Sequence, residues 1–239
     1  MKFLKISFLT VLSFITITIN AQKIESGSIK MEITDVNSDN EQTAAGLEMM
    51  KGMVTEYSFS PDQSLSKTDM MGGMVKSTSL VNNKTEEMTM LMDLMGNKML
   101  VESTKEERDR LAGEADDMME NVKVEYDETD TKTIQGYECV KATIMGLGTE
   151  EMSMKFTMYL SKDLLANNKM IQGMDKLDLK GFPLEYVIET DQMSMTYTAT
   201  EVSTELDKEI FNVSTSGYTK MTWKEFMEQM GSMGGGMGF

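Results

Sequence analysis

The sequence contains no histidine, and among 239 residues it has one cysteine, Cys139, two prolines and one tryptophan. The missing histidine removes the commonest general base, the usual activator of a serine or cysteine nucleophile and the commonest metal ligand. One cysteine cannot close an internal disulfide, so stability falls to the core. Lysine and arginine number 23 against 39 aspartates and glutamates, a formal charge of −16. A surface this acidic is repelled by nucleic acid and by anionic membranes. No run after residue 19 approaches the ~20 apolar residues that a helical span needs, so no stable membrane insertion is expected. No pair of carboxylates stands out by spacing, and nothing points to glycosidase-type chemistry. The chain reads as a non-enzyme with no cofactor.

What is present begins with a leader. Lys2 and Lys5 precede an apolar run from Ile6 to Ile19, and Ala21 is the small residue that a signal peptidase needs beside its cut. The run is short for a span and is interrupted by Thr10, Ser13, Thr16 and Thr18. The sequence predicts a signal peptide over residues 1–21, cleaved after Ala21. The product is expected to be periplasmic or secreted. No cysteine lies near the cut to take a lipid anchor.

Beyond the leader the pattern alternates with period two. Ile29, Met31 and Ile33 share one face of a strand, with Lys30, Glu32 and Thr34 on the other. The same holds for Met152 to Leu160, Leu184 to Ile188 and Met193 to Ala199, as in an antiparallel sheet with one wet face. Turn signals at Pro61-Asp62, Gly72-Gly73, Asn82-Asn83 and Gly96-Asn97 divide residues 55–104 into a meander of hairpins. Helices are expected over 41–53 behind Asn40, over 105–120 behind Thr104 and Glu107, and from Thr222 with Glu225 three residues on. In the last helix Trp223, Phe226, Met227 and Met230 form an apolar stripe. One domain is expected over 22–230, followed by a disordered glycine- and methionine-rich tail over 231–239.

Three short blocks carry a resemblance. Ile134-Gln-Gly136-Tyr137-Glu-Cys139-Val-Lys141-Ala142 resembles a block of the secreted Gram-negative family named for its GLPGLI motif. Lys180-Gly181-Phe182-Pro183-Leu184-Glu185 keeps that motif's Gly-x-Pro frame, with Leu184 in place of its second glycine. Leu206-Asp207 to Phe211, followed by Gly217-Tyr218, resembles the closing segment of LolA-like carrier proteins. The resemblance implies a mainly β (α+β) fold: an incomplete antiparallel β-barrel, a LolA-like half-barrel, with a few short helices covering the concave face. It also implies a lipid or another apolar small molecule as partner.

Methionine is the compositional oddity, at 28 residues. Met88, Met90, Met92, Met152, Met154, Met158, Met193 and Met195 fall on inward strand faces, with Phe156 and Tyr197 beside them. They are either ordinary core or the lining of a concavity, which unbranched, polarizable side chains adapt to varied apolar ligands. A second set, Met50, Met53, Met71, Met74, Met227, Met230 and Met233, has Met-x-x-Met spacing on helices and loops. Soft thioethers select Cu(I) or Ag(I), and helix packing gives the same spacing. Asp35-x-Asn37-x-Asp39 resembles the opening of a calcium loop, but Asn40 and Gly46 stand where a glycine and a bidentate glutamate belong. A polar turn ahead of the first helix is expected there. Cys139 lies in a strand and is expected to be a buried thiol.

Overall fold

The computed structural model describes residues 23–112, 122–149, 152–171, 174 and 177–232. The leader over 1–21, the second half of the helix expected over 105–120 and the tail over 233–239 lie outside the described residues. Among the described residues twelve strands form one sheet. In chain order they are β1 (Gly27–Ser38), β2 (Val54–Phe59), β3 (Gln63–Met70), β4 (Val75–Asn82), β5 (Met88–Leu94) and β6 (Asn97–Ser103), then β7 (Lys123–Ile134), β8 (Tyr137–Thr149), β9 (Met152–Ser161), β10 (Phe182–Thr190), β11 (Met193–Ser203) and β12 (Thr219–Met221). Two meanders, β1–β6 and β7–β11, meet where β1 pairs with β11. β12 closes one edge by pairing in parallel with β6, and every other pair is antiparallel. β7 lies at the other edge, so the sheet stays open.

The sheet is curved. The Gln135 side-chain amide, in the β7–β8 turn, donates to the Ala199 carbonyl on β11 at 3.2 Å. Three strand spacings separate β8 from β11, about 14 Å in a flat sheet. A glutamine side chain bridges that gap only if the sheet curls. The main apolar cluster tells the same story, since it takes in Tyr57 and Phe59 on β2 and Ile134 on β7. The connection from β9 to β10 plugs the curl and buries Leu164, Met170, Ile171, Met174 and Leu177 in that cluster. This is the mainly β, incomplete antiparallel barrel with short helices that the sequence implied.

Among the described residues three α-helices flank the sheet. α1 (Glu41–Glu48) starts at Asn40, whose Oδ1 accepts from the Gln42 and Thr43 amides at 2.9 and 3.1 Å. Asn40→Ala should cost about 1 kcal/mol in a urea melt, as loss of a helix N-cap does elsewhere. α1 ends five residues before the expected Met53, and Met50 and Met53 pack beneath it against Ile33, Val36, Leu47 and Met195. α2 (Lys105–Ala112) opens on the expected capping box, with Thr104 and Glu107 exchanging hydrogen bonds. α3 (Trp223–Ser232) does the same with Thr222 and Glu225, and it continues two residues past the boundary expected at 230. On α3, Phe226 is buried and Trp223 half-buried against β5 and β6, whereas Met227 is exposed and leaves the expected stripe.

One expectation is corrected on β1. Asp35 and Asn37 sit within the strand, paired with Thr196 and Ser194, and not in a polar turn. The first register shift skips Thr200 on β11 and leaves the alternation on β1 intact, whereas the second makes Thr34 an extra residue on β1, after which Val36 and not Asp35 is the next buried side chain.

The three resemblance blocks occupy distinct places. The first forms the β7–β8 hairpin, and the second leads into β10. The third lies on the connection from β11 to the opposite edge, where the 3₁₀ turn Lys208–Phe211 packs on β3.

Candidate functional site

Strand register places three rows of side chains across β2 to β6 on the face that α3 and the plug cover. Facing residues of an antiparallel pair share a face. The rows run Phe59–Ser64–Val81–Met88–Ser103, Tyr57–Ser66–Ser79–Met90–Val101 and Thr55–Thr68–Ser77–Met92–Met99. The central columns, on β3 and β4, hold five hydroxyl side chains and one valine. The flanking columns hold methionines on β5 and aromatics on β2. By side-chain length, these short residues between long ones make β3 and β4 the low part of the face, a trough between two walls.

Its walls are packed. On one side Met90, Met92, Met99 and Val101 are buried together under Phe226, with Met88 and Trp223 half-buried against them. The Trp223 and Phe226 rings lie 5.7 Å apart. On the other side Tyr57 and Phe59 belong to the main core. Ser64, at one end, is fully buried and donates to Asn83 Oδ1 at 2.9 Å. Asn167 of the plug donates to the same oxygen at 3.1 Å, which ties the plug to that end. Along the floor, Ser66, Thr68, Ser77 and Ser79 are half-buried. Thr68 is hydrogen-bonded to Thr55 at 3.0 Å. The Ser66, Ser77 and Ser79 hydroxyls have no side-chain partner among the described residues.

Behind the aromatic wall lies a tyrosine cluster. Tyr186 stacks on Tyr197 with ring centroids 4.5 Å apart, and Tyr57 meets Phe182 edge-on at 5.9 Å. Burial first, then the neighbouring tyrosines, pushes the Tyr186 hydroxyl well above its ordinary value, and burial pushes Tyr57 up likewise. Both therefore remain neutral donors at any physiological pH.

The inward methionines expected to line one concavity are divided among separate places. Met88, Met90 and Met92 form the β5 wall of the trough. Met158 is fully buried in the main core, with Phe156 and Tyr197 packed against it. Met193 and Met195 belong to the α1 cluster. Met154 is half-buried on β9, and the side chain of Met152 lies outside the described residues. The trough hydroxyls were the part that sequence reasoning missed. Their signal is the alternation Ser64-x-Ser66-x-Thr68 and Ser77-x-Ser79, which gains meaning only once β3 is paired with β4.

The second methionine set is likewise dispersed. Met50 and Met53 pack beneath α1, Met71 and Met74 lie at the β3–β4 tip, and Met227 is on α3. The side chain of Met230 and the whole of Met233 lie outside the described residues. No group of three or more aspartate, glutamate or cysteine side chains is placed to hold a metal among the described residues. Cys139 is buried, and burial pushes its thiol up to about 12, so thiolate chemistry is disfavoured at neutral pH.

No family model matches the chain, and no curated protein does. Among solved structures it is similar to the lipoprotein LppX of Mycobacterium tuberculosis, at 11% identity over 77% of this chain and 89% of that one, with a TM-score of 0.36. It is also similar to an outer membrane lipoprotein-sorting protein domain from Vibrio parahaemolyticus, at 10% identity over 80% and 92% of the two chains, with a TM-score of 0.32. MucB from the Pseudomonas aeruginosa MucA/MucB complex aligns at 9% identity over 81% of this chain and 57% of that one, again with a TM-score of 0.32.

Proposed function

We propose that this chain is an exported, non-enzymatic binding or carrier protein that holds a lipid-like ligand in the trough along β3 and β4. The observation that carries the reading is the contrast in side-chain size across one face: Ser66 and Ser79 lie between Tyr57 and Met90. From Ser64 to Thr68 the floor runs about 13 Å along β3. Of the methionine wall, half-buried Met88 offers a polarizable surface to an acyl chain. The free Ser66, Ser77 and Ser79 hydroxyls suit the ester or hydroxyl groups of an amphipathic molecule better than a bare hydrocarbon. The leader read from the sequence supports a location in the periplasm or outside the cell.

The test has two arms. Native mass spectrometry of the protein purified from its own envelope should show a co-purified lipid mass. Filling the trough with the double substitution Ser66→Phe and Ser79→Phe should abolish that mass. The same change should weaken binding of a fluorescent fatty-acid probe at least about tenfold, or ~1.4 kcal/mol. Circular dichroism checks that the filled variant is folded. A filled, folded variant that binds the probe as tightly as the parent would remove the trough from consideration.

A further inference from the structure

The structure brings together three exposed thioethers that sequence spacing does not. Met71 and Met74 flank Gly72 and Gly73 in the β3–β4 turn, and Met95 lies in the β5–β6 turn. Met74 and Met95 continue the β4–β5 ladder one step past Val75 and Leu94. The Met95 amide donates to the Met74 carbonyl at 2.7 Å, which locks the two hairpin tips together. That bond sets the two backbones at about the 5 Å spacing of neighbouring strands, although Met74, with φ of −73°, and Met95 are not extended. Three rotatable bonds let methionine side chains at that spacing turn toward a shared point.

Neither packing nor backbone preference accounts for methionine here. Met71, Met74 and Met95 are 50%, 46% and 76% exposed, so none serves the core. Met71 and Met95 have φ of 54° and 52°, in the left-handed region that tight turns usually give to glycine, asparagine or aspartate. Asparagine at either tip would relieve both the exposure and the strain. A side chain held against both preferences is a candidate for a role of its own. The surroundings balance in charge: Asp69 and Asp93 flank the tips opposite Lys76 and Lys98, and Lys76 is paired with Asp69 at 3.9 Å.

We infer that Met71, Met74 and Met95 form a surface site for a soft monovalent cation, Cu(I) or Ag(I), separate from the trough and independent of its function. Three thioethers make a neutral, soft donor set that discriminates against the hard cations carboxylates take. Met50 and Met53, which share the Met-x-x-Met spacing, pack beneath α1 and lie outside the site.

Anaerobic titration of the full chain with Cu(I) against a competing chelator should reveal one submicromolar equivalent. The triple substitution Met71→Leu, Met74→Leu and Met95→Leu should weaken it at least tenfold, whereas Met50→Leu with Met53→Leu should not. With methyl-labelled methionine, one equivalent of Ag(I) should shift the methyl resonances of Met71, Met74 and Met95 and leave Met49, Met145 and Met227 in place. Should the triple variant misfold, Met95→Leu alone must still weaken binding. Micromolar or weaker affinity in the parent, undiminished affinity in the variants, or silver shifts spread over the other exposed methionines would each overturn the assignment.

Discussion

Replacing Gly181 with alanine is expected to lower stability by more than about 3 kcal/mol, measured as a fall in the urea midpoint at unchanged slope. Gly181 has φ of 150°, a region that residues with a Cβ scarcely enter. A Cβ built there would stand 2.3 Å from the Ser161 carbonyl oxygen and 2.8 Å from its carbon. Both atoms belong to backbone, so no rotamer change relieves the contact. Ser161 is fully buried and pairs with Phe182, the first residue of β10. Pushing Gly181 away therefore displaces Phe182, which is fully buried and touches Tyr57. Gly136 supplies the control. It too has a positive φ, 84°, but nothing lies within 4 Å of its would-be Cβ. Gly136→Ala should lose only about 1–2 kcal/mol, the cost of the left-handed backbone. Equal losses at both positions would show that β9 does not approach Gly181 so closely.

The Gly181 contact also marks how far the sequence could be read. A Gly-x-Pro frame was visible at 181–183, but the partner that demands the glycine lies 20 residues earlier and is brought in by pairing. Local signals transferred well. Asn40, the Thr104–Glu107 and Thr222–Glu225 capping boxes, and the four turns of the β2–β6 meander depend on neighbours a few residues away, and they formed as expected. Signals that depend on register did not transfer. β1 runs on past an extra residue, Thr34, and keeps Asp35 and Asn37 in the strand, and no pattern in the sequence announces that bulge. β1 and β11 pair across more than 150 residues, so the joining of the two meanders was not legible. The plug between β9 and β10 has no period, because its apolar residues fill a space that the sheet defines. Alternation does place a methionine on the inward face. It cannot say whether something packs over it.

Met158 turns that last point into a measurement. Register sets it in a row with Ala142 on β8, Tyr186 on β10 and Tyr197 on β11. Ala142 and Met158 are fully buried and Tyr186 nearly so, so the long methionine fills the space beside the short alanine. Met158→Ala is therefore expected to cost about 3 kcal/mol, through lost transfer energy and the cavity left under the plug. Met158→Leu, close in volume, should cost less than about 1.5 kcal/mol. Neither change should move the affinity of the fatty-acid probe by more than about twofold, because Met158 lies five strand spacings from β3. The opposite pattern, a small loss of stability with a large loss of affinity, would mean that Met158 lines open space. The ligand cavity would then run beneath the plug, along β9, and not along β3 and β4.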